Sequence, residues 1–294
     1  MANFARDMGK SKILVTGASG QLGIELSVLA GLHPQVDFIF LSKKDLSILN
    51  AGAVQQALEN HHPDFCINCA AYTAVDKAET ERELAMAING EAAGILARAC
   101  RSVQTKLIHI STDYVFDGNS SAPLKETDPT NPVNWYGASK LKGEELALQH
   151  QPETIIIRTS WLYSEFGNNF VKTMIRLMRE KESIRVVHDQ LGSPTYAADL
   201  AKVILQITGS GKFVPGIYHY SNEGRISWYE FAEAIREMIH SPCRVEAIST
   251  AEYPTAARRP HFSLLDKEKI KRVYAVDTPD WKKSLGDCLK KINK

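Results

Sequence analysis

Residues 12–23 read KILVTGASGQLG, and this stretch determines the fold that the whole sequence indicates. Its first five residues are mostly apolar and β-branched, as in a short buried strand, and a helical pattern follows its last glycine. Gly17, Gly20 and Gly23 stand between them at the spacing G-x-x-G-x-x-G. Gly17 would allow a tight turn, Gly20 a close approach of the backbone to a pyrophosphate, and Gly23 close packing of the helix on the sheet. The stretch therefore predicts the phosphate-binding turn of a dinucleotide site at a helix N-terminus.

The first 160 residues alternate short β-branched runs with longer segments of helical spacing. The runs predict five strands, at residues 12–16, 37–41, 65–69, 106–111 and 154–159. The helical segments between them lie at residues 22–30, 53–60, 81–101 and 136–148. The strands lack alternation between apolar and polar residues, which is typical of parallel strands buried on both faces. This repetition predicts an α/β protein with a Rossmann-type doubly wound parallel sheet.

The pattern becomes irregular after residue 160. Helices are predicted at residues 169–179, 196–207 and 228–239, strands at 184–187 and 216–220, and loops at 192–194 and 258–260. These elements predict a smaller C-terminal substrate lobe that is partly interleaved with the sheet. We therefore expect a flexible leader over residues 1–11, a dinucleotide-binding Rossmann domain over 12–160 and a substrate-binding lobe over 161–294, with an approximate boundary.

The composition is that of a globular chain and gives no sign of a nucleic-acid or membrane partner. Of the 294 residues, 44% are hydrophobic and 23% charged, which allows a sizeable core. The formal net charge of +1 gives no electrostatic footprint for nucleic acid or a membrane surface. No apolar run approaches the roughly 18 residues that cross a bilayer, and the polar first ten residues lack the apolar region of a signal peptide. We therefore expect a cytoplasmic protein.

Five cysteines are scattered along the chain, an odd number that argues against a disulfide framework and for a reducing compartment. Cys66 and Cys69 form a C-x-x-C pair, but they lie in the apolar run DFCINCAA at 64–71, where no second pair or nearby histidine completes a zinc set. We interpret both as small buried residues. The nine histidines show no metal-ligand spacing either, so we predict no metal site.

Tyr136 and Lys140 lie four residues apart in a predicted helix, so their side chains share one face. A free phenol has a pKa near 10, and a nearby ammonium would lower this pKa towards the range in which a phenol exchanges protons efficiently. Lys140 would also be long enough to hydrogen-bond the ribose of a nicotinamide nucleotide. The pattern Y-x-x-x-K also occurs as a plain surface pair on helices, and this alternative remains open.

Thr112 follows the predicted strand over residues 106–111, at the edge where parallel sheets bind ligands. Its hydroxyl could hydrogen-bond a substrate oxygen on which negative charge develops, or it could only cap the strand end. With a nicotinamide on the glycine turn, the three side chains predict hydride transfer to a carbonyl carbon. Tyr136 would donate a proton to the oxygen, Thr112 would polarise it, and Lys140 would position the cofactor and tune the phenol.

Several stretches of the sequence also resemble one family. The glycine turn, the N-x-A-A stretch at 68–71, the strand-end hydroxyl and the Tyr–Lys pair resemble the extended short-chain dehydrogenase/reductase superfamily. Within it, the sequence is similar to the dTDP-4-dehydrorhamnose reductase family over nearly the whole chain. The similar stretches are AAYTAVDKAE at 70–79, STDYVFDG at 111–118, RTSWLY at 158–163, NNFVKTM at 168–174, DQLGSPT at 189–195 and ARRP at 257–260.

The resemblance implies reduction of the C4 ketone of dTDP-4-dehydro-β-L-rhamnose to dTDP-L-rhamnose, with NADPH or with NADH. The residues that would bind the cofactor are Gly17, Gly20, Gln21, Leu22, Gly23, Ser42, Asp45, Leu46, Ala70, Ala71, Tyr72, Thr73, Tyr136 and Lys140. Those that would contact the nucleotide sugar are Val75, Thr112, Asp113, Trp161, Arg258 and Arg259. Trp161 could instead be a core aromatic, and one of the two adjacent arginines could simply be solvated.

Two positions depart from the pattern of some members of this family. Ser42 stands at the end of the second strand, where some members have an acidic residue, and Lys43 and Lys44 follow it. These lysines favour NADPH over NADH, because they could pair with a 2′-phosphate. Some members also dimerise through a magnesium site of acidic residues near the C-terminus, where this sequence has only Asp287. We therefore predict no metal, and we leave a homodimer open.

Two other functions remain open from the sequence. A dehydratase or epimerase could share the fold, although in 4,6-dehydratases a carboxylate pair usually follows the strand-end threonine, and here Tyr114 follows Asp113. An epimerase would regenerate its nicotinamide internally. The second alternative is a non-catalytic NADP-binding protein like the regulatory subunit of methionine adenosyltransferase. The presence of Thr112, Tyr136 and Lys140 together argues against it.

Overall fold

The computed structural model describes residues 10–292 of the chain. The strands are β1 Ser11–Thr16, β2 Val36–Leu41, β3 Phe65–Asn68, β4 Lys106–Thr112, β5 Ile155–Thr159, β6 Leu162–Tyr163, β7 Ser183–Val187, β8 Leu191–Gly192, β9 Thr195–Tyr196, β10 Gly216–Tyr220, β11 Ile226–Ser227 and β12 Arg244–Ile248. The helices are α1 Gln21–Ala30, α2 Ala51–His61, α3 Val75–Ala78, α4 Arg82–Met86, α5 Ala92–Ser102, α6 Trp135–His150, α7 Phe170–Glu180, α8 Ala197–Gly209, α9 Trp228–Met238, α10 Glu268–Tyr274 and α11 Trp281–Ile292. A π-helical turn, Ala87–Glu91, joins α4 to α5, and 3₁₀ turns lie at Asp113–Val115 and Thr250–Glu252.

Six parallel strands form the central sheet in the order β10–β5–β4–β3–β1–β2. The chain starts at β1 inside the sheet and then adds strands on both sides, so the sheet is doubly wound. One face packs on α1 and α8, and the other face packs on α2 and α5. Because both faces are covered, apolar residues occupy successive positions of the strands. The predicted Rossmann-type fold is confirmed.

The rest of the chain packs around three two-stranded sheets. The pairs β6–β9 and β7–β12 are parallel, and the pair β8–β11 is antiparallel. Helices α7, α9 and α11 pack together in a separate apolar cluster that includes Met174, Phe231 and Leu285. This part of the molecule is therefore built from short strands, helices and loops around its own core.

Most predicted elements are present with ends shifted by one or two residues. The helix predicted over residues 81–101 is different, because it consists of α4, the π-helical turn and α5. Helices α3, α10 and α11 and strands β6, β8, β9, β11 and β12 have no counterpart among the predictions. Four of these strands have only two residues, and so short a segment shows no periodicity of its own.

Two elements from beyond residue 160 belong to the central sheet and its cover. Strand β10 pairs with β5 at the sheet edge, with Ile217 opposite Ile156, and α8 packs against the sheet beside α1. The predicted division of the chain at residue 160 stays a prediction. The predicted leader over residues 1–11 lies outside the described residues except for Lys10 and Ser11, and Ser11 already belongs to β1.

Candidate active site

A cavity of about 710 Å³ opens at the carboxyl ends of the central strands. Open α/β sheets bind their ligands at this end, and small-molecule sites commonly have volumes of this size. The wall includes the glycine turn after β1, the segments after β3, β4 and β5, and the first turns of α6. The parallel sheet thus brings segments that are distant in sequence to one place.

Gly17 makes the turn after β1 with a backbone φ of 69°, a left-handed conformation that glycine adopts without strain. A Cβ atom on Gly17 would lie 2.5 Å from the backbone nitrogen of Ala70, in the segment after β3. A Cβ atom on Gly23 would lie 2.5 Å from the Gly17 carbonyl oxygen. Both glycines therefore allow close packing behind the cavity, whereas Gly20 lines it.

Helix α1 begins after Gly20, which has no side chain to cap the helix. The first backbone N–H groups of a helix have no partner within the helix, and the helix dipole makes this end positive. Gly20, Gln21 and Leu22 line the cavity at this point. The turn fits the diphosphate of a dinucleotide, because an anion would accept hydrogen bonds from these N–H groups.

The segment after β2 has a local hydrogen-bond pattern of its own. The backbone N–H and the hydroxyl of Ser42 donate to the Asp45 carboxylate over 2.9 and 2.6 Å, and these bonds lower the pKa of Asp45. Lys43 and Lys44 are exposed beside it. Leu46 is buried in the apolar cluster under α2.

Tyr136 and Lys140 lie on the inner face of α6, and both line the cavity. The helix begins after Asn134, whose side-chain oxygen accepts a 2.8 Å hydrogen bond from the Gly137 N–H and caps the first turn. Gly137 lets the helix lie directly on the loop after β4, since a Cβ atom there would overlap with the Tyr114 carbonyl oxygen. The cap and the close approach together fix where the two side chains enter the cavity.

Burial raises the pKa of the Tyr136 phenol to about 12, although the Thr112 hydroxyl acts in the opposite direction. Burial also lowers the pKa of Lys140 to about 8, against the effect of the Glu144 carboxylate. The expected lowering of the Tyr136 pKa by Lys140 is wrong, because burial dominates and the ammonium donates to the Ile110 carbonyl at 2.6 Å. The phenol therefore keeps its proton through neutral pH, which is the state that a proton donor needs.

Thr112 ends β4, and Asp113 begins the 3₁₀ turn that follows. The Thr112 hydroxyl donates to Asp113 Oδ1 over 3.0 Å and accepts from the Tyr114 N–H over 3.2 Å. Within residues 10–292, Asp113 Oδ2 is buried without a hydrogen-bond partner. Burial raises the pKa of this carboxyl to about 7, although the Ser263 and Thr112 hydroxyls act in the opposite direction.

Trp161 follows β5 with a backbone φ of 47°, a left-handed conformation that is unusual for a bulky side chain and costs about 1–3 kcal/mol. Its indole stacks on that of Trp228, with ring centroids 3.7 Å apart and planes at 14°. The Phe170 ring lies 4.6 Å from the Trp228 ring. All three side chains line the cavity and form an apolar wall, which suits the apolar face of a sugar.

Arg259 lines the cavity and donates two hydrogen bonds to Asp76, over 3.0 and 2.7 Å. Asp76 lies on α3 and also accepts from the Ala257 N–H at 3.1 Å, so it fastens the arginine loop to the segment after β3. The Arg259 guanidinium holds the pKa of Asp76 below its ordinary value. Arg258 is exposed and outside the cavity, and its carbonyl accepts from Asn134 Nδ2 at 2.8 Å.

Most predicted site residues meet in this one cavity, namely Gly20, Gln21, Leu22, Ala71, Thr73, Val75, Thr112, Asp113, Tyr136, Lys140, Trp161 and Arg259. The predicted residues outside its lining are Gly17, Gly23, Ser42, Asp45, Leu46, Ala70, Tyr72 and Arg258. Lining residues that the sequence analysis missed include Cys69, Gly167, Asn168, Phe170 and Trp228. A capping box of Ser227 and Glu230 marks the helix start at Trp228, but no spacing in the sequence connects that helix with the cavity.

The two cysteines of the C-x-x-C pair differ in their exposure. Cys66 is buried as predicted, whereas Cys69 is only half-buried, because it follows β3 where the strand end opens into the cavity. Among residues 10–292, no three His, Cys, Asp or Glu side chains form a group that could hold a metal ion. No helix in that range is both long and apolar enough to cross a bilayer.

The doubly wound sheet, the glycine turn at α1 and the tyrosine–lysine pair on α6 together are the features of the extended short-chain dehydrogenase/reductase class. A family model described as the RmlD substrate binding domain matches residues 11–294. The chain belongs to this family.

Individual relatives are similar over almost their full length. A dTDP-4-dehydrorhamnose reductase of Aggregatibacter actinomycetemcomitans is 42% identical over 285 residues, which cover 94% of this chain and 97% of that protein. A spore coat polysaccharide biosynthesis protein of Bacillus subtilis (strain 168) is 40% identical over 279 residues, which cover 95% and 97%. The crystal structure of a dTDP-4-dehydrorhamnose reductase from Bacillus anthracis strain Ames in complex with NADP has a TM-score of 0.92 and 42% identity, covering 96% of this chain and 99% of that one. The similarity therefore includes both parts of the molecule.

Proposed function

We propose that this protein reduces the C4 ketone of dTDP-4-dehydro-β-L-rhamnose with NADPH, or with NADH, to give dTDP-L-rhamnose. The observation that supports this most is the meeting of Tyr136, Lys140 and Thr112 in one cavity beside the glycine turn. Two of the relatives that align over more than nine-tenths of their length are named for this activity, and the structure of one of them contains NADP.

NADPH, when bound, supplies the hydride that the ketone carbon receives. Tyr136 donates its phenolic proton to the ketone oxygen, so the carbonyl gains one hydride and one proton and becomes an alcohol. The pKa of about 12 keeps this proton on Tyr136 at neutral pH until the oxygen accepts it. The Thr112 hydroxyl would hydrogen-bond the same oxygen as negative charge develops there. Lys140, buried between α6 and β4, would hold the ribose of the nicotinamide half.

The nucleotide sugar would lie between the catalytic side chains and the aromatic wall. Arg259 would bind the diphosphate, because a guanidinium presents two N–H groups in the geometry of an anion. Trp161 and Val75 would contact apolar parts of the sugar. Asp113, the one carboxyl group among the cavity-lining residues of the described chain, would lie beside the sugar.

The segment after β2 supports NADPH more than NADH as the cofactor. Lys43 and Lys44 are exposed there, and either could pair with a 2′-phosphate. The nearby Asp45 carboxylate already accepts two hydrogen bonds from Ser42. The cytoplasmic location, the homodimer and a role for Arg258 stay predictions.

The cavity favours net reduction over dehydration and over a non-catalytic role. A dehydratase needs further acid and base groups for its proton transfers, and Asp113 is the only carboxyl group among the cavity-lining residues of the described chain. A non-catalytic nucleotide-binding protein has no need of a proton donor and a lysine beside the glycine turn, and this protein has both.

The test mixes the purified protein with NADPH and the 4-keto sugar nucleotide and follows the absorbance of the reduced nicotinamide. We expect one NADPH to be consumed for each ketone reduced. Conversion of the sugar without net loss of NADPH would instead indicate an epimerase. Binding of NADPH without its consumption by any 4-keto sugar nucleotide would indicate the regulatory type of protein. Either result would overturn the proposed function.

A further inference from the structure

The Trp161 indole is fixed from two sides by residues that are not neighbours in sequence. The Trp228 ring lies against one face, with centroids 3.7 Å apart. Gly192 lies at its edge, where a Cβ atom would come within 2.9 Å of Trp161 Cζ2. Gly192 therefore leaves just enough room for the indole, and Trp228 fills the space beside it.

One small sheet holds both of these residues. Gly192 ends β8 and pairs with Ile226 of the antiparallel strand β11. Strand β11 ends at Ser227, and Trp228 is the first residue of α9. The Ser227 hydroxyl accepts from the Glu230 N–H, while the Glu230 carboxylate accepts from the Ser227 N–H, so this helix start is fixed in both directions. The pair β8–β11 thus sets the distance between Gly192 and Trp228.

Trp161 needs such support, because its backbone is in the left-handed region that bulky residues rarely adopt. The Thr195 N–H donates to the Trp161 carbonyl at 3.3 Å, and the Ser160 hydroxyl donates to the Ser193 carbonyl at 2.6 Å. These hydrogen bonds hold the main chain on both sides of the residue. The contacts with Trp228 and Gly192 are what hold the side chain.

We propose that Trp228 is a positioning residue for the nucleotide sugar: it holds the Trp161 indole as the wall of the cavity and so determines how tightly the sugar nucleotide binds. This inference rests on the proposed function, in which Trp161 contacts the substrate. The glycine turn that would hold the cofactor is formed by other elements, β1 and α1, so the effect should be confined to the sugar nucleotide.

Two substitutions test the role of Trp228. Trp228→Leu removes the aromatic partner of Trp161, and Trp228→Phe retains one. For Trp228→Leu we expect KM for the sugar nucleotide to rise about three- to tenfold, the range that the loss of one aromatic pair gives, with the Kd for NADPH unchanged. Trp228→Phe should recover most of the wild-type KM. Tyr229→Leu is the matched control, because it removes a ring from the next position of α9 outside the cavity lining.

A spectroscopic measurement separates positioning from a general loss of structure. The measurement is the time-resolved fluorescence anisotropy of Trp161, taken as the difference between each protein and its Trp161→Ala counterpart. It should decay faster in Trp228→Leu than in Trp228→Phe, because the phenyl ring still packs on the indole. In a Trp161→Ala background, Trp228→Leu should raise KM no further, since Trp228 acts through Trp161. If Trp228→Leu fails to fold, Trp228→Phe provides the same comparison with a smaller effect.

Three results would overturn the inference. The Trp161 indole could become mobile in Trp228→Leu while KM for the sugar nucleotide stays at the wild-type value. KM could rise equally with and without Trp161, which would mean that Trp228 contacts the substrate itself. The anisotropy of Trp161 could also decay equally in Trp228→Leu and in Trp228→Phe, which would mean that an aromatic ring at this position does not hold the indole. Absence of turnover in the wild type would instead refute the proposed function, and the anisotropy would still test the positioning.

Discussion

The two sides of the cavity are held together by different kinds of contact. On the side of the glycine turn, the closest contacts join backbone to backbone, as where Gly17 meets the Ala70 nitrogen. On the side of the aromatic wall, they join side chain to side chain, as in the stack of Trp161 on Trp228. A phosphate group is the same in every dinucleotide and can be bound by backbone N–H groups, whereas one sugar is distinguished from another by side chains.

This difference determines how each side should respond to substitution. A backbone contact cannot adapt when a methyl group is added, because two main chains would have to separate. Side-chain contacts can repack in part, so their loss should have graded effects. Helix α6 lies between the two sides and provides the Tyr136 phenol. The proposed reaction between the cofactor on one side and the sugar on the other needs this group.

Tyr136→Phe should have the largest effect, because it removes the proton donor and leaves both sides intact. A positioned general acid contributes about 10²–10⁴-fold, so we expect kcat to fall by that factor. The Kd for NADPH, measured by titration, should stay the same. Tyr253→Phe, at an exposed tyrosine outside the cavity lining, is the control. Turnover of the Tyr136→Phe protein at nearly the wild-type rate would remove Tyr136 from the mechanism.

Asp113 should make the stability of the protein depend on pH. Its carboxyl has an ordinary pKa of 3.8 when the chain is unfolded, and burial raises the pKa to about 7 in the folded protein. Between these values the folded state holds a proton on Asp113 that the unfolded state has lost, so the contribution of this group to the free energy of unfolding falls as pH rises. One pKa unit corresponds to about 1.4 kcal/mol, which gives a loss of the order of 2–3 kcal/mol from about pH 5 to pH 7.

Asp113→Asn should remove this contribution, because the amide does not ionise, so the free energy of unfolding should fall less with pH, or rise more, in the variant than in the wild type. The free energy of unfolding would be measured by urea titration at several pH values between about 5 and 8. Other buried groups contribute to the slope of both proteins. Burial raises the pKa of Glu25 to about 7, which acts in the same direction as Asp113, and lowers the pKa of His109 and of His219, which act in the opposite direction. The difference between the two slopes is therefore what measures Asp113. Identical slopes in both proteins would show that Asp113 does not retain its proton in the folded state.

Gly17→Ala tests the side that is built from backbone contacts. The added Cβ atom would lie 2.5 Å from the Ala70 nitrogen, and alanine is strained at a φ of 69°. Because the turn must shift, we expect the affinity for NADPH to fall about tenfold, which corresponds to ~1.4 kcal/mol. The affinity for the sugar nucleotide should change less. Gly209→Ala, at the end of α8 with no atom within 4 Å of the added methyl group, is the matched control and should bind NADPH normally. Normal NADPH binding by Gly17→Ala would show that the conformation of this turn does not determine the affinity for the cofactor.

The same division explains how much of the molecule can be predicted from its sequence. The structure on the side of the glycine turn is predicted by local features of the sequence. These are glycines at fixed offsets, strands whose apolar and polar residues do not alternate, and a tyrosine and a lysine on one helix face. Strand β1 and helices α1 and α6 accordingly end within two residues of their predicted limits. Each of these features depends on residues that are close together in the chain.

The structure of the aromatic side depends on contacts between distant segments, which no local sequence pattern predicts. Strands β8 and β11 have two residues each and exist because they pair with each other. The stack of Trp161 on Trp228 joins two distant segments, and the raised pKa of Tyr136 comes from burial by several of them. Tertiary packing of this kind decides the position of a side chain without leaving a periodic signal in the sequence.

Asp76→Asn should have the smallest effect and tests the aromatic side at its charged end. Asp76 fastens Arg259 through two hydrogen bonds, but its side chain is 47% exposed. Partly exposed ion pairs contribute up to about 1 kcal/mol, so we expect KM for the sugar nucleotide to rise about two- to fivefold, with KM for NADPH unchanged. The exposed pair Arg176–Glu180 provides the control, because Glu180→Gln removes a similar carboxylate outside the cavity lining and should leave both constants unchanged.

A double substitution shows whether Asp76→Asn raises KM for the sugar nucleotide through Arg259. If Asp76 acts by orienting the guanidinium, Asp76→Asn should add nothing to the higher KM of an Arg259→Gln protein. A lower KM in the Asp76→Asn protein would show the opposite, namely that Asp76 competes with the diphosphate for Arg259. In that case the Asp76–Arg259 ion pair would have to open each time a substrate molecule binds. The effect of Asp76→Asn on KM would then come from a contact that the substrate breaks, and not from one that helps to hold the substrate.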